Sequence, residues 1–541
     1  MSEKRVHASA VLLLVNMTVG AWAAPEPQPS RASDLWRASQ ARGKIYADCG
    51  KNVSRLMRGW IELKRDPKTH LYSRGKTWDY HNEAADHYSS LVLMAFYVAP
   101  EHNEPGGTFH QTMVNSRKLC ATPNGIPAVY SLKTHEPGRM ATFGELSEWL
   151  RDGLIRIVEV MGTENIWYEE MVRLTDALLA EAENRGGVFQ SFKGHEPWGN
   201  MLQTLARLYA ISGDEKYLLA AEEIADRLLL DPKHAIKRVR YQDHGCELTP
   251  GLAELFILES KLRRPKAAEY RKPLERLLDR ILVDAAHPVT GLFCVKAKEA
   301  GQWNQPTDTW GYVLFGHENY DRATGIDRYR AAITKPLRWL LESRADYGKY
   351  AKTLWPRARS SDDWSDSYES MIVLWNRYPE VGDGFAWLDW ATLQHIHRRQ
   401  PAKTFGPYTG GHFDGSTGRT LCIHMMMCSQ GVRHVPVQPG LCVGAVQRDG
   451  ELLLTVQSDA PYRGRLCFDG PRTEHRGARI GWARINEMPQ WYVVRPEKEY
   501  AVSVGQRPPR VLKGQALVEG MSIDVAPGKP LKIRCRTRTG K

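Results

Sequence analysis

Between about Asp34 and Val432 the chain repeats one pattern of apolar and polar positions. An apolar-periodic segment of 15 to 20 residues ends at a Gly, Asp or Pro, and a second amphipathic segment follows. In GNMLQTLARLYAISGDEKYLLAAEEIADRLLL, residues Met201, Leu202, Leu205, Leu208 and Tyr209 recur at helical spacing and define one face. SGDE makes the turn with Asp214 as N-cap, and Leu218, Ala221, Ile224, Ala225 and Leu228 give the returning helix its stripe. The plan recurs in 243–263 with 267–284, 307–321 with 325–344, 364–377 with 383–398, 143–161 with 165–183 and, less regularly, 35–64 with 82–98. A lone helix covers roughly 415–430. The repeat lies in pattern and not in residue identity, so no short solenoid motif fits. No polar terminal cap is evident. The pattern therefore predicts a mainly α chain whose residues 35–432 close into an (α/α)6, or seven-hairpin, toroid barrel.

After Val432 the pattern changes. ELLLTVQS, YRGRLCFDG, QWYVVR, EYAVSV and PLKIRC are short β-branched and aromatic runs separated by turn sequences. Residues 433–541 are expected to form an antiparallel β-sandwich that packs on the barrel and does not catalyse, with GWARINEMPQWYVV as a packing edge.

The helix starts carry the unusual residues. Inner helices are expected near residues 82, 197, 244, 307 and 364, each opening with a polar and aromatic cluster: HNEAADHY, GHEPWGN, DHGCE, TDTWGY and DDWSDSYE. GGHFDGSTGR at 410–419 is a further case. Each cluster taken singly can be a set of caps, because Asp and Asn suit N-caps and acids complement a helix dipole. Five clusters rich in Trp, Tyr, His and carboxylates point instead to one mouth lined by all of them.

With that mouth in place, the chain resembles the six-hairpin glycosidase superfamily over roughly residues 35–432, most closely in DHGCELTPGLAEL, QPTDTWGYV and DDWSDSYES. The resemblance implies an (α/α)6 barrel often joined to a β-sandwich, carbohydrate-active chemistry and a site at the barrel mouth. It does not imply a substrate.

Glycoside hydrolysis needs one protonated and one ionised carboxyl flanking the scissile bond. Asp243 and Glu247 share a helix face at i, i+4, as do Asp362 and Asp366, while Asp86 and Asp308 stand alone in their clusters. The catalytic candidates are Asp243, His244, Glu247, Asp308, Asp366 and Asp86. Trp198, Trp310, Tyr312 and Tyr368 are candidates for stacking on sugar rings, and His412, Asp414 and Arg419 for binding a terminal sugar. The rival chemistry is β-elimination on a uronate, which needs a His or Tyr base and a neutraliser of the carboxylate. Asn82, His87, Tyr88, His195, Asn200 and His244 suit it. The abundance of acids favours hydrolysis. A glycan-binding protein without catalysis is the third reading.

Cys246 beside Glu247, with Cys422 and Cys428, resembles the thiolate-and-glutamate zinc site of one β-L-arabinofuranosidase family in this superfamily, but the adjacent double cysteine of that motif is missing. No metal or cofactor is expected.

Charge and cysteines refine the picture. The net charge of +12 favours anionic partners, here an anionic carbohydrate. There is no zinc-finger spacing, RNP-like strand or basic helix, and KRVR at 237–240 is short, so no nucleic acid is expected. Nine cysteines without CxxC spacing predict one or two disulfides and at least one spare thiol. Lys4, Arg5 and His7 precede an apolar run, and Ala21-Trp22-Ala23 ends it. That predicts a signal peptide over 1–23, a Pro-rich linker over 24–34 and an exported chain, periplasmic or extracellular. The run is short of the ~20 residues of a membrane span, and no stable span is expected.

Overall fold

Inner helices buried all round alternate with outer helices that bury one stripe. In the computed structural model, which describes residues 32–236, 239–294, 306–342, 361–389, 392, 415–475 and 478–538, outer α1 (Ala32–Leu63) leads to inner α2, a π-helical turn (Asn82–Tyr88) continued as Ser89–Val98. Outer α3 (Thr108–Leu119) leads to inner α4, formed by Phe143–Glu148, a further π-helical turn (Trp149–Leu154) and Ile155–Met161. Outer α5 (Ile166–Asn184) and inner α6 (His195–Ser212) follow, then outer α7 (Glu215–Ala225) and inner α8 (Leu248–Leu262). Outer α9 (Pro265–Ala285), inner α10 (Trp310–Thr324), outer α11 (Arg330–Glu342), inner α12 (Ser361–Arg377) and inner α13 (Gly415–Ser429) complete the barrel.

The burial pattern explains the two layers. Every residue of α8 from Leu248 to Glu259 is buried, whereas α9 buries only the helical stripe Tyr270, Leu274, Leu277, Leu278, Ile281 and Ala285. Each inner helix packs on the next, and α13 packs back on α2, so the ring is closed. Among the described residues it holds seven inner segments, the larger of the two numbers expected. The lone helix is the seventh, with α1 behind it.

Two glycines set the spacing nearest the mouth. A Cβ at Gly199 would collide with the Glu247 carbonyl carbon, and one at Gly251 would lie 2.8 Å from the Gly199 carbonyl oxygen. Their absence of side chain lets α6 and α8 touch backbone to backbone.

The C-terminal region forms two antiparallel sheets. β4 (Arg433–Val435), β5 (Cys442–Arg448), β6 (Glu451–Gln457), β7 (Tyr462–Cys467), β10 (Glu499–Val504), β11 (Arg510–Lys513), β12 (Met521–Val525) and β13 (Leu531–Thr537) are ordered β11-β10-β13-β6-β5 and β12-β7-β4. A short sheet of β1 (Thr77–Trp78), β2 (Ala128–Ser131) and β3 (Glu136–Met140) lies among the barrel loops, and β8 (Glu474–His475) pairs with β9 (Ala478–Arg479). The Ser39 hydroxyl of α1 donates to the Gly444 carbonyl at 2.7 Å and meets Thr455 at 2.8 Å, seating the five-stranded sheet on the barrel.

The stretch after β9 is more than a packing edge. It enters the ring between the C-terminal halves of the inner helices. Trp482 donates to Glu254 at 2.8 Å, Arg484 to Glu159 at 2.8 Å, and Asn319 exchanges bonds of 2.8 and 2.9 Å with the Ala483 backbone. Arg207 holds Glu254 bidentately at 2.8 and 2.7 Å, and Arg377 holds Glu487 at 3.1 and 2.8 Å. Arg207, Glu254, Glu159, Arg484 and Glu487 are buried, and Arg377 is partly buried. Buried charges persist only when paired and hydrogen-bonded, and here the partners come from both parts of the chain.

All nine cysteines are free thiols, eight of them buried, so the expected disulfides are not formed. Cys49, Cys120, Cys246, Cys422, Cys428 and Cys535 lie in the hydrophobic core, where each packs as a small apolar side chain. No described helix is long and apolar enough to cross a membrane.

Candidate active site

The starts of the inner helices converge, and local capping decides which acids are left to face the mouth. The Asp79 carboxylate accepts from the amides of His81, Asn82 and Glu83 at 3.1, 2.8 and 3.2 Å. The cap of α2 is thus Asp79, which leaves Asp86 uncommitted to it. Thr142 and Glu145 form a capping box at the start of α4, which frees Glu148 and Asp152, one helical turn apart. Asp86, Glu148 and Asp152 place carboxylate oxygens within 4.8 Å of one another. These are the residues that could hold a cation, but Asp152 already accepts from Arg151 at 2.5 Å and from the Asn486 amide. Burial, then the charges of Asp86, Asp152 and Glu196, push Glu148 well above the usual carboxylate range.

Glu247 is the most distinctive group. It stands at the entry to α8, 3% exposed. Its backbone carbonyl takes the Gln203 side chain at 3.0 Å, and Cys246 Sγ lies 3.4 Å from Oε1. Arg151 comes no nearer than 3.7 Å, and Oε2 is buried without a hydrogen-bond partner. Burial raises its pKa to about 7; Arg151 opposes this, while Asp243 and Glu196 add to it. Such a carboxyl carries a proton available for donation near neutrality.

Beside it, His244 adopts φ +60°, a left-handed conformation costly for any residue but glycine and frequent at functional sites. Its Nδ1 meets Glu196 at 2.9 Å and its Nε2 meets Asp243 at 3.3 Å. The Glu196 bond raises His244 to about 9 against the effect of burial. Burial would raise Glu196 in turn, but His244, Arg151 and a bond from Glu148 hold it below the ordinary range. The His81 ring lies 5.9 Å from that of His244 and its Nδ1 is 3.1 Å from Glu148, linking α2, α4, α6 and the entry to α8.

The opposite wall comes from α10, α12 and α13. The Tyr312 hydroxyl donates to Asp366 at 2.9 Å and reaches Glu369 at 3.4 Å. Arg419 donates to Glu369 at 2.6 Å and lies 3.7 Å from Asp366. Arg156 of α4 closes the circle: it donates to the Ala85 carbonyl and the Ser90 hydroxyl at 3.0 Å each, and burial followed by the Arg419 charge lowers it to about 9.

The structure brings together Asp86, Asp243, His244, Glu247, Tyr312, Asp366, Asn200 and Arg419. Asn200 is tied to the site as the acceptor of Arg151 Nε at 2.8 Å. Asp308 accepts from the Thr309 amide and the Thr307 hydroxyl at 2.9 and 3.0 Å, acting in the turn before α10. Asn82 is exposed and Trp310 is buried at 3%. Trp198 stacks on Phe189 with centroids 4.7 Å apart, and His195 lies beside it at 6.3 Å, so neither offers a free sugar platform.

Three expected binding residues point away from the mouth. His87 lies edge-on to Trp60 of α1 at 4.8 Å, Tyr88 donates to the Phe109 carbonyl at 2.6 Å, and Tyr368 pairs with His424. Each sits one or two positions from an acid that does face the mouth, and a helix turns about 100° per residue. Cys422 and Cys428 do not share surroundings with Cys246, whose charged neighbours are Glu247, Asp243, Asp366 and Arg151. His412 and Asp414 lie outside the described residues.

Sequence reasoning missed His81, Glu148, Arg151, Asp152, Arg156, Glu196, Glu369 and Asn486. The spacing of Glu148 and Asp152, i and i+4 on a helix opened by a capping box, was the available signal. Asn486 had none.

The fold and site define a closed toroid of helical hairpins with a carboxyl-lined mouth. No family model and no curated protein matches the chain. Among solved structures it is similar to the GH76A α-1,6-mannanase from Salegentibacter sp. HEL1_6, at 14% identity over 58% of this chain and 95% of that one, TM-score 0.37. It is also similar to a sugar epimerase from a ruminal bacterium, at 10% identity over 55% and 86%, TM-score 0.34. A GH127 β-L-arabinofuranosidase from Geobacillus Stearothermophilus T6 matches at 12% identity over 94% and 76%, TM-score 0.30.

Proposed function

We propose that the chain is a glycoside hydrolase in which Glu247 donates the proton to the departing glycosidic oxygen. The observation that carries this reading is the Glu247 carboxyl itself, buried, with a pKa of about 7 and an oxygen free of protein partners. We assign the second carboxyl that hydrolysis needs to Asp86, whose carboxylate lies in the same mouth, with oxygens within 4.8 Å of those of Glu148 and Asp152. Glu196, kept ionised by His244, adds the like charge that keeps Glu247 protonated.

Elimination is less well supported. A base must be free of its proton, and His244 at about 9 is not at neutral pH. Tyr312 is also pushed well above its ordinary value by burial and by Asp366 and Glu369.

The total charge of +12 supports an anionic glycan, but the mouth does not concentrate it. Arg151 faces Asp152, Arg419 faces Glu369, and His244 faces Glu196. Nearer charges decide, and they favour an uncharged glycan. Export of the enzyme is part of the same proposal and rests on residues 1–23.

A panel of neutral and uronate polysaccharides, assayed for reducing ends and for absorbance near 235 nm, tests the reading. Reducing ends without absorbance support hydrolysis; absorbance supports a lyase; binding without either supports a glycan-binding protein.

A further inference from the structure

Nineteen lysines and arginines against ten aspartates and glutamates lie between residues 433 and 541, so this part carries nine of the chain's twelve net positive charges. The basicity that points to an anionic partner is therefore a property of the β-domain and not of the barrel. Within that domain it is ordered. Lys532, Arg534, Arg536 and Arg538 alternate along β13 with the buried Ile533 and Cys535, so all four project from one sheet face and are exposed. Successive side chains on that face are about 6.7 Å apart, twice the rise per residue of a strand.

α1 covers only part of this face. It packs across β5 and β6, leaving β13, β10 and β11 open beside it. The register aligns Val511, Ala501, Arg536 and Glu451 across four strands. The resulting groove, about 810 Å³, runs over this row and is lined by Arg448, Arg510, Arg536 and Arg538, with Asp449 and Glu451 at one edge. At its side the half-buried Trp36 indole lies 5.3 Å from the Lys532 ammonium and 5.6 Å from the Arg534 guanidinium.

Pairing leaves part of this charge free. Arg448 meets Asp449 at 3.4 Å, Arg534 reaches Glu451 at 4.0 Å and Arg538 meets Glu499 at 3.0 Å. Among the described residues Arg510 and Arg536 have no carboxylate partner. Planar guanidinium forks recognise carboxylates and sulfates bidentately, and a row of them at even spacing suits a polymer with repeated charge.

We propose that this groove binds an anionic polysaccharide, a uronate or sulfated chain lying along β13, and so holds the enzyme on a charged matrix while the barrel cleaves a different, uncharged glycan. The second half rests on the hydrolase reading; the first does not. The groove is a retention site, and it accounts for the net charge that the catalytic mouth leaves unexplained.

The test is affinity electrophoresis and calorimetry of the full chain with polygalacturonate and chondroitin sulfate, against dextran, duplex DNA and phosphatidylglycerol vesicles. The comparison is with the double variant Arg510→Glu and Arg536→Glu. Binding to an anionic polysaccharide that falls with salt and weakens at least 10-fold in the variant supports the proposal. Folding of the variant is checked by its melting temperature, and Arg510→Gln with Arg536→Gln serves if the glutamates unfold it. Equal binding by wild type and variant overturns the proposal, as does binding to DNA or vesicles in preference to both polysaccharides. Glu247→Gln retains this binding in either case. A chain that binds but cleaves nothing leaves the groove standing and removes the hydrolase reading; one that cleaves and shows no groove-dependent binding does the reverse.

Discussion

The side-chain amide of Asn486 donates to the carboxylate of Asp152, a residue 334 positions earlier in the chain. One belongs to the segment that fills the barrel from below and the other to the floor of the mouth. The C-terminal part of the chain thus contributes to the surroundings of the acids at the mouth.

Asn486→Ala removes this donor and leaves a buried carboxylate short of a partner. A loss of ~1–3 kcal/mol in stability is expected, with a fall in kcat larger than any change in KM. Unchanged kcat in a folded variant would show that Asp152 holds its place without the plug.

Glu247→Gln should abolish turnover on natural glycans while sparing much of the rate on aryl glycosides whose leaving group needs no proton. Its stability effect has a sign fixed by burial. The folded pKa of about 7 lies above the ordinary 4.5, so wild-type stability falls as pH rises between those values, by ~3 kcal/mol at most. The amide lacks this dependence. Urea melts at pH 5 and pH 8 should show the variant gaining on the wild type at the higher pH.

The pH–rate profile separates the two chemistries. With Glu247 as acid, kcat/KM declines above about pH 7. With His244 as an eliminating base it would climb toward pH 9. His244 also adds stability that is present below pH ~6.5 and lost as the pH passes about 9. Its side chain is 44% exposed, so His244→Gln should cost less than ~1 kcal/mol at pH 6, and less still at pH 10.

Arg207→Met provides the contrast. It leaves Glu254 buried with Trp482 alone as donor, and breaking such a pair costs ~3–5 kcal/mol. Truncation after Val432 removes Trp482, Arg484 and Glu487 together. The expected result is an insoluble barrel, read by circular dichroism and gel filtration.

The helix starts were legible because apolar periodicity and clustered polar residues coincide there: α6, α10 and α12 begin within three residues of their expected positions, and the polar cluster expected to open α8 leads directly into it. Asp86, Glu247 and Asp366 came from the same signal. His87, Tyr88 and Tyr368 were misplaced because a cluster names a stretch of helix without saying which side faces inward. Arg156 lies further along its helix than any start signal extends, and Glu369, the last residue of DDWSDSYE, was passed over in favour of the Asp362 and Asp366 pair. Asn486 depends on a long-range insertion between β-strands, and nothing local distinguishes it from a surface turn.

The π-helical turns at Asn82–Tyr88 and Trp149–Leu154 pack against each other and carry Asp86 and Asp152. Each amounts to one residue more than an α-helix would hold over the same rise. Deleting a single residue from Trp149–Leu154 would restore an ordinary helix and swing everything before it by roughly 100°. Glu148 would then face the outer layer, while Arg156 and the rest of α4 kept their places. The orientation of this acid is therefore written as an insertion in the chain, and a frame of one residue separates a mouth lined with carboxyls from a helix that is merely well packed.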